Sequence, residues 1–86
     1  MNFLHYEVEL SDGQAVEITL DKQANVRILD DSNFHAYRRG QRHRYQGGLV
    51  KRSPIVLRPP SPGRWHVVVD LGGYAGSVRA SVRTVD

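Results

Sequence analysis

The densest chemistry in this chain is Tyr37-Arg38-Arg39-Gly40-Gln41-Arg42-His43-Arg44-Tyr45, extended by Lys51-Arg52. Guanidinium forks match the geometry of phosphate oxygens, interleaved tyrosine rings can stack on bases, and glycines let backbone amides approach an anion. The candidate ligand-binding residues are therefore Tyr37, Arg38, Arg39, Arg42, His43, Arg44, Tyr45, Lys51 and Arg52. The ligand they suit is anionic: a nucleotide, a nucleic acid strand or an acidic protein surface. Charge along the chain is strongly segregated. Residues 1–31 carry seven acids against Lys22 and Arg27, a balance of −5. Residues 32–69 carry eight bases and no acid, and residues 70–86 balance, which gives the net +3. Such asymmetry is a mark of anionic partners. The competing reading is that the acidic first third packs beside the basic middle and the two fields cancel. No signature of a nucleic-acid-binding fold accompanies the segment: there is no ribonucleoprotein aromatic motif, and the helical signal is too short for a helix-turn-helix.

The other residue types that do chemistry are scattered. His5, His35, His43 and His66 show no metal-ligand spacing, such as a pair at i and i+4 with a nearby acid. They read as exposed or hydrogen-bonded histidines, so no metal or other cofactor is expected. Ser53, His66 and Asp70 include the types of a nucleophilic triad, but no Gly-x-Ser-x-Gly elbow supports it. No catalytic residues are assigned, and the chain reads as a non-enzyme. Gly72-Gly73-Tyr74-Ala75-Gly76 lacks the following helix and the Lys-Ser/Thr pair of a phosphate loop and reads as a chain reversal. Trp65 reads as a core anchor, with the floor of a ligand site as the alternative.

The elements that position these residues follow from size and periodicity. A chain of 86 residues, 40% hydrophobic and 24% charged, is one globular domain over 1–86. With no cysteine it has no disulfide framework, thiolate metal site or cysteine nucleophile. The longest uninterrupted apolar runs, such as Val67-Val68-Val69, are three residues and far too short to span a bilayer. The start, Met1 to Glu7, has neither the basic nor the apolar region of a signal peptide, so a cytoplasmic protein without membrane contact is expected.

Alternation dominates. Leu4, Tyr6, Val8 and Leu10 share one face, with His5, Glu7 and Glu9 on the other. Val16, Ile18 and Leu20 repeat the pattern after a Ser11-Asp12-Gly13-Gln14 turn, which predicts an antiparallel hairpin. A third strand is expected over 25–30. Asp31-Ser32-Asn33 caps a short helix carrying Phe34 and Tyr37 inward, ended by Gly40. Gln41 to Tyr45 fits a short strand or an irregular loop ended by Gly47-Gly48. Two extended runs flank Ser53-Pro54, a bulge or edge-strand signal. After the Pro59–Gly63 turn, Trp65, Val67, Val69 and Leu71 share a face, with His66 outward. Val78, Ala80 and Val82 line a last strand that forms a second hairpin with it. The fold class is all-β: an antiparallel β-sandwich or jelly-roll-like barrel, with one short helix in the central connection.

Several stretches resemble a small bacterial family, domain of unknown function 1883: Leu20 to Arg27, Asp31-Ser32-Asn33-Phe34, Gly47-Gly48, Lys51-Arg52-Ser53-Pro54 and Trp65 to Tyr74. The resemblance covers essentially the whole chain. It implies a small, cytoplasmic, β-rich domain that some relatives carry fused to a TIR signalling domain, and it brings no catalytic residues. Three functions are carried forward. The first is a non-catalytic binding or sensing module that uses segment 37–52. The second is a protein-interaction or homodimerisation domain pairing through an exposed strand edge near Ser53-Pro54. The third is a hydrolytic enzyme.

Overall fold

In the computed structural model, residues 3–86 are described; Met1 and Asn2, which open the segment read as lacking a signal peptide, lie outside them. The strands are β1 (Leu4–Leu10), β2 (Ala15–Leu20), β3 (Ala24–Leu29), β4 (Gln46–Val50), β5 (Ile55–Leu57), β6 (Gly63–Asp70) and β7 (Ala80–Val85), and one helix, α1 (Asp31–Arg38), joins β3 to β4. They form a four-stranded sheet ordered β1-β6-β3-β4 and a three-stranded sheet ordered β5-β2-β7, every pairing antiparallel. The two sheets stay separate, so the sandwich is right and the barrel does not close.

The sandwich core is built from the alternate residues that periodicity marks. Leu10, Val16, Ile18, Ala24, Val26, Ile28, Val50, Val67 and Val69 are buried between the sheets, and Tyr6, Val8 and Trp65 pack against them half-buried. The opposite face of the larger sheet is covered too. There Leu29 and Val68 meet Phe34 and Tyr37 of α1, with Phe3 alongside. The molecule is therefore three layers: sheet, sheet, helix. This arrangement explains the unbroken Val67-Val68-Val69 run. Strand β6 lies inside its sheet, and Val68, on the outward face between the polar His66 and Asp70, is apolar because α1 covers it there.

Both expected hairpins are corrected. β1 pairs with β6, and β2 with β5 and β7, so the Asp12-Gly13 turn carries the chain from one sheet to the other. The Gly72–Gly76 reversal likewise crosses from β6 to β7 in the opposite sheet. Alternation fixes which face of a strand is buried; it is silent on whether the next strand lies beside it or across the core. The helix also begins earlier than expected. Asp30 is the N-cap, its carboxylate accepting from the Asn33 amide at 2.9 Å, and Asp31, Ser32 and Asn33 form the first turn. The helix ends as expected at Gly40. Its amide donates to Tyr37 O and the Gln41 amide to Ala36 O, a paired closure that needs the positive φ of 73° at Gly40.

Residues 41–45 are an irregular loop, and Gly47-Gly48, expected to end that segment, lie inside β4. Gly47 faces Arg27 across the ladder, and a Cβ there would stand 2.0 Å from the Val26 carbonyl oxygen. Only a glycine allows β3 and β4 to approach so closely.

Candidate functional site

The register of the larger sheet decides which side chains meet under α1. Asn25 lies opposite Asp70, Arg27 opposite Val68, and Leu29 opposite His66; on the far side His5 lies opposite Val68 and Glu7 opposite His66. All of these point to the helix side. The polar residues that alternation places outward are thus collected beneath a helix, where two clusters form.

The first cluster anchors the basic segment. Asp70, 2% exposed, accepts from Arg27 Nη1 at 2.7 Å, Tyr37 Oη at 2.7 Å, Asn25 Nδ2 at 3.0 Å and the Gly72 amide at 2.8 Å. Burial pushes the Asp70 carboxyl up. The hydrogen bonds from Asn25, Tyr37 and Gly72, with the Arg27 charge, outweigh it and hold the carboxyl below its usual range. Burial also drives the Tyr37 phenol far above its usual range, and its hydrogen bond to Asp70 adds to the effect. The Arg27 guanidinium lies over the rings of Tyr37, 5.4 Å from the centroid, and Tyr45, at 4.9 Å. His43 sits between those tyrosines, its ring edge-on to Tyr37 at 5.2 Å and tilted to Tyr45 at 5.5 Å.

This geometry sorts the sequence-predicted site residues. Tyr37 is a correction: at 2% exposure, with its hydroxyl committed to Asp70, it supports the surface from below and offers no contact to a ligand. His43 is half-buried and Tyr45 is 46% exposed. Arg38, Arg39, Arg42, Arg44, Lys51 and Arg52 are all exposed. The Arg44 backbone is pinned to α1, its amide donating to Asn33 Oδ1 at 2.7 Å. Acids of the first third form ion pairs with other bases. Glu9 pairs with Arg64 at 3.3 Å and Glu17 with Arg83 at 2.7 Å. Among the described residues no carboxylate forms an ion pair with any of the six bases.

The second cluster is one that sequence spacing missed. His5 Nε2 and His66 Nδ1 are 2.8 Å apart, and His66 Nε2 is 2.5 Å from Asp31 Oδ1 in the first turn of α1. Phe34 stacks on both imidazoles, at 4.1 Å from His5 and 4.4 Å from His66. His66 is buried, and His5, Glu7 and Asp31 are exposed. The hydrogen bond from His66 holds the Asp31 carboxyl below its usual range. Desolvation lowers the pKa of His5, and the neighbouring His66 adds to that. A usable signal existed. Both histidines sit on outward strand positions, and Phe34 and Tyr37 require the helix to cover an outward face. His66 lies next to Val68, the outward valine of the apolar run.

The remaining candidates do not assemble. Ser53 Oγ is bonded to the Leu20 amide and carbonyl, His66 to His5 and Asp31, and Asp70 to Arg27, so the triad types stand in three separate places. Trp65 is half-buried on the sandwich side, its Nε1 donating to Ser61 O at 2.9 Å. The Gly72–Gly76 loop walls a groove of about 660 Å³ with Phe3, Leu4, Leu71 and Val78, beside the 83% exposed Tyr74. No helix among the described residues is long and apolar enough to cross a membrane.

The structure defines a small antiparallel β-sandwich with a helix on its outer face. The chain belongs to the family described as Domain of unknown function (DUF1883), whose model matches residues 1–86. No curated protein and no solved structure matches it.

Proposed function

We propose that this domain is a non-catalytic binding module for a phosphate-rich polyanion, contacted by Arg38, Arg39, Arg42 and Arg44 with Lys51 and Arg52 in support. The observation that carries this reading is the pairing pattern. Three carboxylates pair with bases outside the segment, Glu9 with Arg64, Glu17 with Arg83 and Asp70 with Arg27, and among the described residues none pairs with the six bases. Neighbouring guanidinium groups repel by about 1 kcal/mol per close pair in water, and a polyanion would relieve that repulsion and release its counterions. Tyr45 supplies an exposed ring within the same surface, backed by Arg27.

The test is a titration of single-stranded oligonucleotide, mononucleotide and heparin at low and moderate salt. Binding that weakens steeply with salt and is lost in an Arg42→Ala, Arg44→Ala double variant supports the reading. An oligonucleotide that fails to bind at low salt, or a double variant that binds as tightly as wild type, overturns it.

A second reading, a homodimer joined through a sheet edge, is favoured by two exposed apolar residues on edge strands: Leu49 on β4 and Val56 on β5, 55% and 52% exposed. Sedimentation equilibrium at moderate salt separates the two. A concentration-dependent dimer insensitive to salt and abolished by Val56→Lys supports edge pairing, and a monomer throughout refutes it.

A further inference from the structure

We propose that His5, Glu7 and His66 form a binding site for one divalent transition-metal ion, zinc by the character of the ligand set, with Asp31 as the carboxylate that positions His66. One ligand atom from each of these three residues lies within 4.8 Å of the other two, although His5 and His66 are 61 positions apart in sequence. The cross-strand register brings them together: Glu7 is directly opposite His66, and His5 is two residues along the same face of β1. Two imidazoles and a carboxylate suit zinc better than calcium or magnesium, which prefer all-oxygen shells.

The surroundings have the form that metal-binding histidines require. A carboxylate can only accept, so the ring nitrogen facing Asp31 carries the proton: His66 Nε2–H donates to Asp31 Oδ1. His66 Nδ1 then faces His5 Nε2 at 2.8 Å, a contact that holds one proton between the two nitrogens, and a metal ion binds there by displacing that proton. The stacked Phe34 ring holds both imidazole planes, which lie 19° apart. Asp31 is held in turn by the first turn of α1, next to the N-cap Asp30. Zinc–nitrogen bonds of about 2.0–2.1 Å at a tetrahedral angle place two ligand nitrogens about 3.3 Å apart. The present 2.8 Å must therefore open by about half an ångström, which a small rotation of the exposed His5 ring supplies. Glu7 and Asp31 bring two negative charges to the ion, opposed by the exposed guanidinium of Arg38 over Phe34. Three protein ligands leave a fourth coordination position on the solvent side. The site does not depend on the polyanion reading, because none of its ligands belongs to the arginine surface.

The experiment uses the full chain, tag-free and treated with chelator, titrated with zinc against a chromophoric competitor and with cobalt for its visible absorption. The variants are His5→Ala, Glu7→Gln, Asp31→Asn and, as a control for adventitious surface histidine, His35→Ala. His5 is chosen because His66 is buried and its loss would unfold the helix contact. Circular dichroism in chelator confirms that each variant is folded. One zinc per chain is expected, with affinity falling about 100-fold in His5→Ala and about 10-fold or more in Asp31→Asn, and unchanged in His35→Ala. Cobalt should give the intense visible bands of a four- or five-coordinate ion in wild type and not in His5→Ala. A wild-type dissociation constant weaker than about 1 mM overturns the proposal. So does a folded His5→Ala chain whose affinity falls less than tenfold.

Discussion

Asp70→Asn tests the Asp70 cluster most directly, because it keeps the shape of the side chain and removes only its charge. In the native chain one carboxylate oxygen accepts from Asn25 and the Gly72 amide, the other from Arg27 and Tyr37. An asparagine can keep the first pair. Its amide nitrogen then faces the guanidinium, donor against donor, and the Arg27 charge loses its counterion. Removing one partner of a fully buried ion pair costs about 3–5 kcal/mol. Arg27 is 20% exposed and rests on two tyrosine faces, so some of its solvation survives. The expected loss is therefore about 3 kcal/mol, at the low end of that range, and a large share of the stability of so small a domain. Urea unfolding at pH 7, followed by the fluorescence of Trp65, measures it; the midpoint should fall with the slope unchanged. Acid titration gives an independent reading. The Asp70 carboxyl is held below its ordinary value of 3.8 in the folded state, so its contribution is fully present above that value and is lost as pH falls through the lower folded value. The variant should lack that part of the acid limb. A loss under about 1 kcal/mol, or an acid limb identical to wild type, would show that Asp70 does not fasten the helix end to the sheet.

Two further substitutions probe the frame. Trp65→Ala removes a half-buried ring that packs on the sandwich core and donates to Ser61 O, so it should cost about 2 kcal/mol, below the range for a fully buried aromatic; a melting temperature within a degree of wild type would place the ring in solvent. Gly47→Ala forces a methyl against the Val26 carbonyl in an unfavourable backbone region and should cost about 3 kcal/mol, measured by urea unfolding; a variant as stable as wild type would mean that β4 does not pair with β3 in this register.

Much of this architecture is legible in the sequence, and what is missing has a common cause. Period-two alternation places β1, β2, β6 and β7 and most of the core, and Gly40 marks the end of α1. The pairing of strands was not legible. A turn such as Ser11–Gln14 closes a hairpin or bridges two sheets with the same residues, and the burial pattern on either side is the same. The histidine cluster was hidden for a related reason. Spacing rules detect ligands on one helix or one turn, whereas His5 and His66 meet only through the β1–β6 register. Tyr37 was assigned to a ligand surface by its neighbours in sequence; at helical spacing from Phe34, it belongs to the buried face instead.

The charge blocks show how local pairing and net field separate. Segregated charges usually interleave on folding, and here the acidic third does find cations: Glu9 meets Arg64 and Glu17 meets Arg83. None of these partners comes from residues 37–52. Strand order accounts for it. β1 is an outer strand that pairs with β6, and β2 lies in the other sheet, so their carboxylates face β6, β7 and the start of α1. The basic segment leaves the far end of α1 and enters β4, the opposite edge of the larger sheet from β1. Asp70, beneath the segment, is occupied by Arg27 and Tyr37. Chain order thus sets these pairings: Glu9 of β1 meets Arg64 of β6 and Glu17 of β2 meets Arg83 of β7, and among the described residues no carboxylate forms an ion pair with Arg38, Arg39, Arg42, Arg44, Lys51 or Arg52.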